Sequence, residues 1–303
     1  MSTQEAVALD ASASDTERAV ATFAAVRPRL FGIAYRMLGS AADAEDIVQD
    51  VWLRWQNSDR DAVDNPAAFL ATATTRLCIN AAQSARARRE TYVGPWLPEP
   101  VDTAADPLST VERSESIELA VLLLLEKLSP PERAAYVLRE AFDYPYRQIA
   151  EIIQASEVAT RQLVSRARRH ISAERQAPVP APQHRELLSA FLTAAKTGDL
   201  EALEDLFATE VVSYSDSGGV VRASRIPVRG RNRVARFVRA FASRFWAGVD
   251  VSWMEANGQD SVILSREGTV FAFVTVTASV EGIDQLLWVM NPAKLEQVAH
   301  AGA

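Results

Sequence analysis

The sequence predicts two all-α units followed by one α+β unit. Through the first part of the chain apolar residues recur at steps of three and four, the spacing of amphipathic helices. Two proline-rich stretches, YVGPWLPEP at 92–100 and QAPVPAPQ at 176–183, interrupt that pattern. Beyond the second, β-branched and aromatic residues alternate as they do in strands. A chain of 303 residues is also long for one domain, so two or three are expected.

From Asp15 to about Met37, Val20, Phe23, Val26, Leu30, Ile33 and Met37 mark one helix face, with Pro28 a predicted kink. Gly39-Ser40 ends it. Ser40 or Asp43 caps the next helix, which runs to about Trp55 with Ile47, Val48, Val51, Trp52 and Trp55 on its apolar side. Asn65-Pro66 starts a third helix, because proline suits the first helical position; it ends in basic residues near Arg89. After the first proline-rich stretch and a polar run, helix is expected at about Val111–Leu128. Ser129-Pro130-Pro131-Glu132 opens another, to about Ala141, and YRQIAEII (146–153) and SEVATRQLVSRARRHI (156–171) follow. The third unit starts with a helix pair, then VVSYS (211–215), VDVSWME (249–255), SVILSR (261–266), TVFAFVTVTAS (269–279) and QLLWVM (285–290) as strands, with a helix at Gly230–Trp246 among them.

Hydrophobic residues make up 48% and charged residues 23%, ordinary for a soluble globular protein. Cys78 is the one cysteine, which excludes an intramolecular disulfide and fits a reducing cytoplasm. The first twenty residues lack a basic start followed by an apolar run, so no signal peptide is expected. No apolar stretch approaches the roughly eighteen residues of a membrane span. Metal is not expected, since Cys78 is alone and the three histidines have no ligand spacing. The net charge of −7 argues against a protein that coats nucleic acid by itself. Yet the charge is uneven: RQLVSRARRH (161–170) is basic, and DAEDIVQD (43–50) is acidic. Such a chain binds DNA best inside a larger complex.

The pair at 146–171 has the form of a helix-turn-helix. Gln154-Ala155 makes the turn, Ser156 caps the second helix, and that helix carries a basic side. A recognition helix of this kind enters the major groove, where arginine and glutamine read base edges and later arginines grip phosphates. A solvated basic helix end gives the same pattern, since cations favour helix C-termini. The acidic helix is open in the same way. Its carboxylates are either a solvated face or a face for a basic partner.

Here a family resemblance enters. LFGIAYRMLGSAADAEDIVQDVWLRWQ (30–56) resembles the core-binding region of bacterial sigma factors. NPAAFLATATTRLCINAAQSARARRE (65–90) resembles the region that melts and reads the minus-ten promoter element. LSPPERAAYVLREAFDYPYRQIAEIIQASEVATRQLVSRARRHI (128–171) resembles the domain that reads the minus-thirty-five element. Together these blocks resemble a small extracytoplasmic-function sigma factor of the sigma-70 family over roughly the first 175 residues. YVGPWLPEP resembles the linker motif of a subgroup with a fused C-terminal SnoaL-like domain, a cone of sheet and helices also found in nuclear transport factor two. That subgroup carries Asp-Gly-Gly-Gly-Lys and Asn-Pro-Asp-Lys-Leu motifs. Here SDSGGVV (215–221) has Ser217 for a glycine and Val220 where lysine is expected, and NPAKL (291–295) has Ala293 for aspartate. In the recognition block, Gln154 stands where glycine is common and Thr160 where a buried valine is usual.

The resemblance implies this organisation: 15–91, core binding and minus-ten recognition; 92–110, linker; 111–175, minus-thirty-five recognition; 176–183, linker; 184–303, a SnoaL-like regulatory domain. It implies core RNA polymerase and promoter DNA as partners, no membrane, no cofactor and no separate anti-sigma protein, with a small ligand in the third domain left open. Asp46, Gln49 and Asp50 would face the polymerase. Arg76, Asn80, Gln83 and Arg86 would contact the minus-ten element. Thr160, Arg161, Gln162, Ser165 and Arg166 would face the minus-thirty-five element, with Arg168 and Arg169 on phosphates. Trp96, Leu97 and Pro98 would dock on the third domain near Asp216, Gly218 and Gly219 or near Asn291, Pro292, Lys294 and Leu295. Proline would keep this linker extended at about 3.1 Å per residue. Trp96 packed on its own sigma domain is the alternative. In the third domain, Asp216, Asp250 and Asp260 fall at predicted turns, no acid–base pair is evident on the strands, and Trp253, Phe271, Phe273 and Trp288 read as core. Two rivals stand beside the sigma reading: a SnoaL-like enzyme with a DNA-binding head, and a ligand-sensing helix-turn-helix repressor.

Overall fold

The computed structural model describes residues 3–103, 118–175 and 177–299, and their side chains except those of 3–15, 86–88 and 297. Its helices are α1 (Thr3–Leu38), α2 (Ala41–Gln56), α3 (Pro66–Glu90), α4 (Leu119–Glu126), α5 (Pro130–Glu140), α6 (Tyr146–Ile153), α7 (Glu157–Glu174), α8 (Ala181–Thr197), α9 (Leu200–Leu206), α10 (Arg231–Phe245) and α11 (Pro292–Ala299). Its strands are β1 (Phe207–Asp216), β2 (Val228–Arg229), β3 (Asp250–Ala256), β4 (Gln259–Arg266), β5 (Thr269–Ser279) and β6 (Gly282–Val289). The chain divides into two compact units, Met1–Ala85 with Leu128–Ala167, and Arg86–Lys127 with Arg168–Ala303.

In the first unit local chemistry sets the helix ends. Gly39, at φ 65°, closes α1 with its N–H on the Tyr35 carbonyl at 2.7 Å. Ser40 Oγ then accepts from the Asp43 N–H at 3.1 Å and starts α2. Asn65 Oδ1 does the same for Ala68 at the start of α3. Ser129 donates to Glu132 Oε2 from both its N–H and its hydroxyl, at 3.3 and 2.7 Å, opening α5. Between α6 and α7, Gln154 takes the left-handed conformation (φ 56°, ψ 47°) that glycine would adopt more cheaply. Ser156 Oγ accepts from Ala159 at 3.1 Å and caps α7.

Leu30, Ile33, Met37, Val51, Trp55, Leu70 and Cys78 are buried together in this unit. The indole of Trp55 donates to the Ala19 carbonyl at 3.2 Å. Burial pushes the Cys78 thiol well above its ordinary pKa, so it packs as a small apolar side chain. Three buried or half-buried arginines tie the helices together. Arg133 donates to the Met37 carbonyl at 2.5 Å, Arg29 donates to the Phe142 carbonyl and lies over Phe142 and Tyr144, and Arg36 lies over Phe142.

In the second unit one six-stranded sheet has the order β2-β1-β6-β5-β4-β3. The β1–β6 pair is parallel and the other pairs are antiparallel. Both faces of the sheet are apolar. Val262, Leu264, Val274, Leu286 and Trp288 face one way and pack with α8, α9 and α10. The residues between them, Ile263, Phe273, Leu287 and Val289, face the other way and pack with Leu97, Leu119 of α4, and Leu295 and Val298 of α11. Side chains alternate across a strand, so a sheet buried on both faces needs two sets of covering elements. The register shifts once in each of the β1–β6, β4–β5 and β5–β6 pairs.

Several expectations change. Helix α1 begins at Thr3, not near residue 15, and runs unbroken past Pro28. Of the helix expected at 111–128, α4 covers Leu119–Glu126, and 111–117 lie outside the described residues. Strand β2, two residues long, and helix α11 were not anticipated. Asp216 ends β1 with a fully buried side chain, so it is not a turn residue. Of the four aromatics read as core, Trp253 is 37% exposed, its ring covered by the Arg185 guanidinium.

Glu132 links two parts of the first unit, accepting from Ser129 and, at 3.0 Å, from Arg166 of α7. Burial pushes its carboxyl up, but these hydrogen bonds together outweigh burial and hold it below its ordinary value. Its contribution is therefore in place above the unfolded pKa of about 4.3 and is lost as pH falls through the lower folded value. Glu132→Gln should cost about 1 kcal/mol of stability at pH 7. In urea titrations that difference should shrink toward zero near pH 3.

Candidate functional site

The segment 92–103 lies along the second unit's sheet, anchored at three levels. At its far end Val101 and Thr103 pair with the edge of β3. Asn257 N donates to the Val101 carbonyl and Asn257 Oδ1 accepts from Val101 N, both at 3.0 Å. Thr103 N donates to the Glu255 carbonyl at 3.2 Å, and Asp102 forms an antiparallel bridge with Ala256. Strand β3 is a sheet edge, and this segment occupies its open hydrogen-bonding groups.

In the middle, Leu97 is fully buried on the sheet face, with Pro98 and Pro100 buried beside it. Its backbone meets a charged pair. Asp216 Oδ2 accepts from Leu97 N at 2.8 Å and from Lys294 Nζ at 2.7 Å. Lys294 Nζ also donates to the Leu97 carbonyl at 2.5 Å. One residue of the linker is thus held at both its N–H and its C=O. Asp216 Oδ1 accepts from the Tyr92 hydroxyl at 2.5 Å and from Gly218 N at 3.2 Å. Asn291 Nδ2 donates to the Tyr92 oxygen at 2.9 Å.

The electrostatics follow from burial. The Asp216 side chain is 0% exposed and that of Lys294 is 7% exposed. Burial lowers the pKa of Lys294, and the attraction of Asp216 opposes that shift without cancelling it. Tyr92 is pushed well up, first by burial and then by its hydrogen bond to Asp216. Such a pair is tolerated only when the remaining lone pairs and protons are hydrogen-bonded, and here four donors converge on the carboxylate. Trp96 completes the arrangement, with the guanidinium of Arg89 3.6 Å and Lys294 Nζ 4.3 Å from its ring centroid.

The glycines are there for close approach. A Cβ on Gly218 would come within 2.6 Å of Asn291 Nδ2 and 3.1 Å of the Tyr92 oxygen; one on Gly219 would press on Val93 at 3.0 Å. Both have positive φ. Asn291 also accepts from Ala293 N at 3.2 Å, opening α11 with Pro292 exposed in its first turn. Leu295 is buried on the sheet face with Leu97.

The polymerase and DNA candidates are carried by α2, α3 and α7. Asp46, Gln49 and Asp50 are exposed on α2, opposite its buried Ile47, Val48 and Val51. Asn80 and Gln83 are exposed on α3, and Arg86 lies outside the described side chains. Arg76 is committed elsewhere: it donates to the carbonyls of Ile152 and Glu151, both at 3.0 Å, at the C-terminal end of α6. On α7, Arg161, Gln162, Ser165, Arg166, Arg168 and Arg169 are exposed. Arg161 pairs with Glu157 and covers the Tyr146 ring, and Arg166 pairs with Glu132. Thr160 does not face outward as expected. It is fully buried, its hydroxyl donating to the Ser156 carbonyl at 3.0 Å. Reading from sequence missed Tyr92, Arg89, Val101–Thr103 and Asn257. A tyrosine inside a proline-rich segment was the available signal for the first.

Family models match the chain as sigma-70 region 2 over residues 22–88 and sigma-70 region 4 over 118–171. The extracytoplasmic-function (ECF) RNA polymerase sigma factor SigJ of Mycobacterium tuberculosis is 40% identical over 235 residues, which cover 76% of this chain and 75% of that protein. The chain belongs to the ECF RNA polymerase sigma factors. Another similar ECF sigma factor is the probable SigI of M. tuberculosis, 35% identical over 218 residues, 71% of this chain and 73% of that protein. The crystal structure of M. tuberculosis SigJ superposes with a TM-score of 0.75 at 32% identity, covering 92% of this chain and 98% of that one. This ECF sigma factor thus has two all-α sigma regions and a C-terminal α+β domain. The region 2 match contains the exposed face of α2 and the polar side of α3, the region 4 match contains α4 to α7, and the sheet lies outside both.

Asp216→Asn should leave the Lys294 ammonium buried without its carboxylate, a change that costs about 3–5 kcal/mol. Hydrogen exchange at the Leu97 amide should speed up accordingly. Asp216→Asn with Lys294→Met, which removes both charges, should recover much of the stability but not the slow Leu97 exchange.

Proposed function

We propose that this sigma factor docks on core RNA polymerase through Asp46, Gln49 and Asp50 and reads the minus-ten element with the polar side of α3. The exposed side of α7 reads the minus-thirty-five element, from Arg161 to Arg169. Its α+β domain regulates it by gripping the linker and serves in place of a separate anti-sigma protein. It works in the cytoplasm, where the polymerase is; among the described residues no helix is long and apolar enough to cross a membrane.

The observation that carries the regulatory part is the capture of Leu97 by Asp216 and Lys294. A linker between two DNA-reading regions has to change course when those regions engage a promoter. Holding it in a buried, fully hydrogen-bonded seat opposes that change. Arg76 supports the same reading from the first unit. Its guanidinium is spent on the end of α6, so a minus-ten contact by Arg76 requires the helix-turn-helix to let go of it. The enzyme reading is disfavoured at Asp216, whose carboxylate is taken up by four structural donors, and at His184, which is buried with Nε2 2.9 Å from the Val276 carbonyl.

The test uses purified bacterial core polymerase and promoter-dependent transcription. Asp46→Asn with Asp50→Asn should weaken core binding at least tenfold, about 1.4 kcal/mol, without changing the melting temperature. Trp96→Ala should leave core binding intact and change transcript yield severalfold. Full core binding by the α2 variant would remove the proposed docking face. Unchanged transcription by Trp96→Ala would remove the linker from regulation.

A further inference from the structure

The α+β domain contains a cleft that the linker contacts do not use. It lies between α10 and the sheet and has a volume of about 630 Å3, the size of a small-molecule site. Its walls are aromatic, built from Phe237, Phe241, Phe245, Phe271 and Trp288. The first three sit four residues apart on α10 and so share one helix face. Phe241 is 48% exposed, an apolar ring left open to solvent at the cleft. Arg222 and Arg244 also line it, and neither has a carboxylate partner among the described residues. Their surroundings are one-sided: residues 217–249 contain eight arginines and no aspartate or glutamate, in a chain of net charge −7. Arg266, the third arginine there, is already engaged, donating to the carbonyls of Phe245 and Ala247 at the end of α10.

We propose that this cleft binds an amphipathic organic anion, a carboxylic acid with an extended apolar body, and that its occupancy alters the grip on the linker. Aromatic walls suit the apolar body, and unpaired guanidiniums suit a carboxylate. The route to the linker is short. Ser215 lines the cleft, and Asp216, the next residue, holds Leu97. Met290 lines the cleft, and Asn291, the next residue, holds Tyr92. Met290 N donates to the Asp216 carbonyl at 2.7 Å, tying the two strand ends together. Arg222 and Ser224 line the cleft from the loop whose Gly218 and Gly219 seat Tyr92 and Val93. A Cβ on linker residue Gly94 would lie 3.9 Å from the Ser224 carbonyl oxygen. One loop thus touches both the cleft and the linker. The coupling, unlike the binding site, rests on the linker grip proposed above.

The experiment titrates the full chain with dodecanoate below its micellar concentration, by calorimetry, and follows hydrogen exchange across 92–101. The expected result is one saturable site per chain with a micromolar Kd, weakened at least tenfold by Arg222→Gln with Arg244→Gln. Exchange at Leu97 should change severalfold on saturation in the parent chain and not in that variant. Absence of saturable binding, or equal binding by the variant, would overturn the site. Binding with no change at 92–101 would overturn the coupling. Fast Leu97 exchange without dodecanoate, equal to that of Asp216→Asn, would instead show that the linker grip itself is wrong.

Discussion

The second unit depends on one buried carboxylate. Asp216 stands at the end of β1, where the sheet gives way to a glycine turn, and it collects donors from four residues, Tyr92 and Leu97 of the linker, Gly218 of the turn and Lys294 of α11. A lone ionised group in that position would be prohibitively costly to bury. Lys294 supplies the opposite charge, and Leu97, Tyr92 and Gly218 supply the hydrogen bonds that make the pair tolerable. The linker is therefore part of the solvation of this ion pair. Pulling it away exposes the pair to incomplete hydrogen bonding, and for that reason a segment without secondary structure of its own is held in one path.

The apolar side of the same argument lies in the sheet. Its strands are apolar on both faces, and helices α8 to α10 cover only one. The other face is covered by Leu97, α4 and α11. Sequence from the sigma part of the chain thus completes the core of the α+β domain. A fusion of this kind makes the linker's position a matter of folding energy.

Much of this was legible in the sequence. Helices α2, α3 and α5 were found from their start signals, because Ser40, Asn65-Pro66 and Ser129-Pro130 act locally. The strands β1 and β3 to β6 were found from alternation. The candidates around Trp96–Pro98, Asp216–Gly219 and Asn291–Leu295 do come together, and the family motifs pointed to them. What was not legible depends on contacts between residues far apart. Thr160 reads as polar and outward, yet its hydroxyl is satisfied by its own helix and the residue faces in. Asp216 looks like a turn aspartate until Lys294, 78 residues away, is placed against it. Arg76 looks free until the end of α6 arrives. Helix α11 was readable in principle, since Asn291-Pro292 is a start signal of the kind recognised at Asn65-Pro66.

The most direct measurement is hydrogen exchange at the Leu97 amide in the free chain and in its complex with core polymerase. The account predicts slow exchange in the free chain, where Asp216 accepts that N–H, and a clear acceleration once the polymerase is bound. Equal exchange in the two states would contradict it, because the linker would then be held no differently when the sigma factor is at work.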